Sequence, residues 1–162
     1  MDAEVPVDCI PRELLESAGF LLGRVGMAVK TTAMQRFEEA GFNPYAYSVL
    51  ALLDEGDRAT QATIADTLRI DRSQLVEILD ELEEQGLVER RRDPNDRRRH
   101  LVSVLPQGRR QLQAFRKLTQ KLEAEFLEPL DEAERAELRD LLLRIAAHRD
   151  ARYARPADVV SS

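Results

Sequence analysis

The feature that most restricts the fold of this 162-residue chain is the segment from Glu89 to His100, which reads Glu-Arg-Arg-Arg-Asp-Pro-Asn-Asp-Arg-Arg-Arg-His. Proline fixes φ, and Asp and Asn side chains bond nearby backbone, so Asp93-Pro94-Asn95-Asp96 directs the chain into a turn. Leu87 and Val88 precede this turn. Leu101, Val102, Ser103, Val104 and Leu105 follow it with the β-branched and apolar content of a strand. The segment therefore predicts a β-hairpin, with a solvated charged loop as the alternative. Six arginines against Glu89, Asp93 and Asp96 leave it a formal +3, although the whole chain carries −6. Phosphate groups respond to that local field rather than to total charge.

Helices surround the hairpin. From Arg12 to Ala40, apolar residues recur at three- and four-residue spacing, predicting one long amphipathic helix that Gly41 ends. Gly19, Gly23 and Gly26 share a face of it, where they either admit a close neighbour or simply soften the helix. Pro44 to Glu55 predicts a second helix, capped by Asn43 and stopped by Gly56. A short helix capped by Thr60 runs to Leu68. After Arg69-Ile70, Asp71-Arg72-Ser73-Gln74 opens another that Gly86 closes. Two helices across so short a link form a helix-turn-helix pattern. In the second of them Leu75, Ile78, Leu79 and Leu82 make the core stripe, leaving Arg72, Ser73, Gln74, Glu77 and Asp80 outside it. Beyond the hairpin, Pro106 to Leu127 and Asp131 to His148 predict two more amphipathic helices, the last opened by an Asp131/Glu134 capping box. Four long apolar stripes exceed what a small helix-turn-helix unit can cover, which predicts a second copy against the surplus.

Composition excludes several functions. No apolar run approaches the roughly 20 residues of a membrane span, and the start lacks the pattern of a signal peptide, which predicts a cytoplasmic protein. Cys9 is the single cysteine and His100 and His148 are the only histidines, so neither a disulfide nor a metal or other cofactor is expected. There is no nucleophile–base constellation and no phosphate-binding glycine loop, so no enzyme activity is expected.

Gln61 to Ala65, Asp71-Arg72-Ser73, Leu82-Glu83-Glu84-Gln85-Gly86-Leu87-Val88, and Asp93-Pro94-Asn95-Asp96-Arg97-Arg98 leading to Pro106-Gln107-Gly108 together resemble the MarR family of bacterial winged-helix regulators. The resemblance implies a mainly α fold with a small β-hairpin wing. It places an N-terminal dimerisation helix over 12–43, a winged helix-turn-helix DNA-binding domain over 44–105 and C-terminal dimerisation helices over 106–148, with a flexible tail over 149–162. It further implies a homodimer on a double-stranded, pseudo-palindromic DNA operator, acting as a repressor. Recognition helices would enter successive major grooves and the wings would reach the flanking minor grooves. The DNA-binding residues it implies are Gln61, Arg72, Ser73, Gln74, Arg97 and Arg98, with Asp96 holding one of the wing arginines in place. A small phenolic, aromatic-acid or lipophilic effector would sit in a cleft lined by Met34, Phe37, Tyr45, Tyr47 and Phe115, although residues at such spacings are more often plain core.

Several positions depart from the family pattern. The recognition helix is net acidic, so either only its first turn approaches DNA or Glu77 accepts from a cytosine amino group. Arg69 stands where relatives often carry Gly, and Leu105 replaces a capping Thr. Cys9 lies ten residues before Gly19, the place of the reactive cysteine in peroxide-sensing relatives. A redox-responsive regulator using Cys9 and a winged-helix interaction module without DNA binding are the competing readings.

Overall fold

The computed structural model describes residues 9–56, 59–96 and 98–154. They fall into two compact units that divide at Pro44 and Tyr45.

The first unit holds α1 (Arg12–Leu15) and α2 (Ala18–Glu39). The single helix expected from Arg12 is interrupted, because the Ser17 hydroxyl accepts the Phe20 amide at 3.2 Å and so caps a new helix. Gly41, at φ +71°, ends α2 in the left-handed region where glycine carries no Cβ penalty. Among the described residues nothing lies within 4 Å of a Cβ built on Gly23 or Gly26, so no close helix contact among them depends on these two glycines. Leu21, Leu22, Val25, Met27 and Val29 are all exposed.

The second unit runs α3 (Pro44–Gly56), β1 (Ala59–Thr60), α4 (Gln61–Leu68), α5 (Arg72–Glu84), β2 (Val88–Arg92), β3 (His100–Val104), α6 (Pro106–Phe126) and α7 (Glu132–Arg149). The strands form an antiparallel sheet in the order β1-β3-β2, with Val88 opposite Val104 and Arg92 opposite His100. Strand β1, pairing Ala59 with Val102, is too short to show any alternation in the sequence. Leu50, Leu53, Ile64, Leu75, Leu79, Leu82, Val88, Val102 and Leu112 are fully buried and bring α3, α4, α5, α6 and the sheet into one core. Asp54 on α3 pairs with Arg109 and, at 3.0 Å, with Arg116, fastening α3 to α6.

Leu105 precedes α6 without any side-chain cap; Pro106 in the first turn removes one orphan donor instead. The Leu105 amide donates to the Leu87 carbonyl at 2.9 Å. Gly108 packs so closely there that a Cβ would lie 2.1 Å from the same carbonyl oxygen. Asp131 and Glu134 form the expected reciprocal capping box on α7. Asp150 to Ala154 do not begin a structureless tail: Ala151–Tyr153 make a 3-10 turn capped by Asp150. Residues 155–162 of the expected tail lie outside the described residues. No helix among the described residues is long and apolar enough to cross a membrane.

Candidate nucleic-acid interface

Helix α4 opens with the Thr60 hydroxyl accepting the Thr63 amide at 3.1 Å, which leaves Gln61 half-buried in its first turn. The chain then reverses through Arg69, at φ +52° and ψ +42°, the only non-glycine described residue with positive φ. Left-handed backbone costs an L-residue about 1–2 kcal/mol. Asp71 caps α5: its carboxylate accepts the Ser73 amide at 2.8 Å and the Ser73 hydroxyl by a short contact. These bonds, led by the hydroxyl, hold the Asp71 carboxyl below its usual range. Arg72 and Ser73 are exposed and Gln74 is half-buried. The first turn of α5, its amides taken up by Asp71, thus presents a cation and two hydrogen-bonding side chains together, a combination suited to phosphates and base edges.

The wing is built from its own carboxylates. Asp93 accepts the Asn95 amide at 2.8 Å and Asp96 accepts the Arg98 amide at 3.0 Å. The Asp96 carboxylate also pairs with Arg99 Nε at 3.2 Å. Asp96 therefore shapes the turn through the Arg98 backbone and the Arg99 side chain, not by holding the Arg98 guanidinium. Arg91 pairs with Glu89 at 2.9 Å. Arg92 and Arg98 are exposed, and no carboxylate among the described residues pairs with either. Arg97 lies outside the described residues.

Arg90 faces inward. Its Nε and Nη2 donate to Glu83 Oε2 at 2.8 and 2.6 Å, its amide donates to Glu83 Oε1 at 2.9 Å, and Nη2 also meets Asp80 at 2.6 Å. The Arg90 hydrogen bonds, followed by its charge, draw the Glu83 carboxyl below the usual range, and Glu83 in turn raises Arg90. Two acids of the net-acidic helix are thereby spent on the wing strand; Glu77 remains exposed.

The same architecture recurs among solved proteins. A model described as MarR family matches residues 40–99. A transcriptional regulator of the MarR family from Rhodococcus sp. RHA1 is 34% identical, with 84% of this chain and 96% of that one covered at a TM-score of 0.72. The transcriptional repressor CouR bound to a 23-mer DNA duplex is also 34% identical, covering 86% of this chain and 99% of its own at 0.75. CouR from Rhodococcus jostii RHA1 bound to p-coumaroyl-CoA is 31% identical, covering 84% and 96% at 0.68. The chain belongs to the MarR family.

It is a transcriptional regulator with a winged helix-turn-helix fold, not an enzyme. Within that fold α5 is the recognition helix and β2–β3 the wing. Of the residues assigned to an effector cleft, Tyr47 and Phe115 meet edge to face, with centroids 6.2 Å apart at 80°. Tyr45 is on the border of exposure in the same unit, whereas Met34 and Phe37 belong to α2 in the other. Cys9 is exposed, three residues before α1. Among the described residues no cluster of His, Cys, Asp or Glu is arranged to hold a metal ion. The inward role of Arg90 escaped the sequence reading, yet a signal was there: Arg90 shares strand parity with buried Val88, and a cation on that face needs a carboxylate.

Proposed function

We propose that this regulator binds a pseudo-palindromic operator as a homodimer, represses transcription, and changes its DNA affinity when a small aromatic or lipophilic effector binds. The observation that carries DNA binding is the pairing of a capped recognition-helix start, where Arg72 and Ser73 are exposed and Gln74 half-buried, with a wing whose Arg92 and Arg98 lack carboxylate partners among the described residues. A guanidinium at a wing tip suits the narrow, electronegative minor groove, while the helix start suits the major groove. Arg97 and Gln61 complete the proposed contact set, and Asp96 keeps the wing turn in shape. The DNA-bound form of CouR supports this placement.

Dimerisation is supported by exposed apolar side chains on helices that a lone chain leaves uncovered: Leu21, Leu22 and Val25 on α2, and Leu141, Leu142 and Ile145 on α7. An apolar groove of about 330 Å³ along α6 and α7, lined by Leu127, Leu138, Leu142 and Tyr153, adds to that surface. Two copies would then present their recognition helices about one DNA turn, roughly 34 Å, apart. The effector reading draws on CouR with p-coumaroyl-CoA and on the aromatic pair Tyr47–Phe115. A cytoplasmic location follows from an operator as target.

The test is a titration of the protein into the DNA upstream of its own coding sequence at several salt concentrations, then addition of phenolic acids, their CoA thioesters and lipophilic compounds. Specific, salt-sensitive binding that an added compound alters is the expected result. Binding no tighter than to unrelated DNA would replace this reading with that of an interaction module.

A further inference from the structure

The turn before the recognition helix is held from a distance of more than 80 residues in sequence. Arg69, in its left-handed conformation, donates from Nη2 to Asp150 Oδ2 at 2.8 Å. Asp150 also receives Arg152, through Nε to Oδ1 at 2.9 Å and Nη2 to Oδ2 at 2.6 Å. The remaining Arg152 nitrogen, Nη1, reaches the backbone carbonyls of Asp66, by a short contact, and Thr67 at 3.5 Å. Those carbonyls belong to the last turn of α4, where backbone acceptors have no partner in the helix and where the helix dipole favours a cation. The Asp150 side chain is only 14% exposed beneath the two arginines. Hence an ion pair, a helix C-cap and a strained turn meet at one point, and the same three side chains account for an arginine at a position that glycine would fill with less strain.

From this geometry we propose that Asp150 and Arg152 are positioning residues for DNA binding: they lock the α4–α5 turn and so set the recognition helix at its working angle. The proposal rests on the DNA-binding reading above. It also makes α7 a lever, since Asp150 directly follows Arg149, the last residue of α7. Movement of that helix on dimer or effector rearrangement is passed to the turn through one rigid guanidinium fork. Arginine suits this because its planar donors serve a carboxylate and two carbonyls at once, whereas a lysine ammonium is a point charge.

Charge alone and positioning predict opposite signs. Removing a carboxylate near DNA should strengthen binding if only long-range electrostatics matter. On the present proposal Asp150→Ala weakens operator binding about tenfold, with the salt slope unchanged because no phosphate contact is lost. Arg152→Ala does the same, and Arg152→Lys fails to restore affinity. Hydrogen exchange supplies a readout that needs no DNA: the Ile70 amide, bonded to the Ala65 carbonyl at 3.1 Å across this turn, should exchange about tenfold faster in both alanine variants while circular dichroism stays unchanged. Equal or tighter operator binding by Asp150→Ala, or unaltered Ile70 exchange in both variants, overturns the proposal. A wild-type protein that ignores operator DNA would instead defeat the functional reading, while Ile70 exchange still decides whether the clamp holds the turn.

Discussion

Arg90 on the wing strand and Glu83 on the recognition helix are joined by two side-chain hydrogen bonds, 2.6 and 2.8 Å long, across the tight turn at Gly86. The two elements proposed to contact DNA are thereby fixed to each other beforehand, which would lower the cost of ordering them on binding. Glu83→Gln should therefore cost about 1 kcal/mol of stability, since the pair is partly solvated and screened. The corresponding fall in melting temperature is about 2–4 °C. A pH series separates the charge from the packing. Because Arg90 lowers the Glu83 carboxyl in the folded state, the contribution is present above the ordinary carboxylate range and is lost as pH falls through the lowered value. The melting-temperature gap between wild type and Glu83→Gln should be widest near neutrality and close in acid. A constant gap would mean that the pair contributes shape alone.

Gly108→Ala tests the contact between the wing and α6. The new methyl would sit 2.1 Å from the Leu87 carbonyl oxygen and 2.8 Å from Val104 Cγ2, and the first neighbour is backbone that cannot swing aside. Alanine normally favours a helix over glycine by up to about 1 kcal/mol. Overpacking outweighs that gain here, so a net loss of about 1–3 kcal/mol in denaturant unfolding is expected. A stabilised variant would show that α6 can slide away from β2.

Most of this fold was legible because its signals are local. Thr60, Asp71 and Asp131 each cap the helix expected of them, and Leu75, Ile78, Leu79 and Leu82 form one buried stripe. Where the sequence misled, a short-range preference was outweighed or had no local signature. Ser17 broke a long periodic helix by taking the Phe20 amide. Strand β1 exists only because β3 lies beside it. Arginine count gave the wing its charge but not its division of labour: Arg90, Arg91 and Arg99 are paired with carboxylates, and that depends on Glu83, Asp80, Glu89 and Asp96 in three dimensions. Arg69 and Arg152 meet through Asp150, a relation that no spacing rule reports.

Exposed apolar side chains make the dimer testable without disturbing either core. Val25 on α2 and Ile145 on α7 are 55% and 53% exposed, so a lone chain should tolerate Val25→Glu and Ile145→Glu with little loss of stability. Burying either carboxylate in an interface costs several kcal/mol. Sedimentation at micromolar concentration should then show a dimer for wild type and a shift to monomer for each variant. A folded wild-type monomer at that concentration would remove the dimer from the proposed function.

Wing and helix start should separate by salt. Arg98 is exposed and carries no carboxylate among the described residues, so Arg98→Ala removes a cation without breaking an internal pair. Should Arg98 contact a phosphate, the salt slope of operator binding falls by about one unit and affinity drops on every sequence alike. If it enters the minor groove, the loss should instead depend on A·T-rich flanks, whose narrow groove concentrates negative potential. Arg97→Ala, at the neighbouring position in the sequence, is expected to act in the same direction. Gln74→Ala should behave differently: base edges carry the sequence code, so a lost bidentate contact costs about 1–3 kcal/mol on the operator, little on other DNA, and leaves the salt slope in place. Ser73→Ala needs a control, because its hydroxyl also donates to the Asp71 cap; its effect on melting must be subtracted before its effect on base preference is read. Equal salt slopes and equal affinities for wild type and the Arg97→Ala/Arg98→Ala double variant, with the dimer intact, would leave the wing without a role in DNA binding.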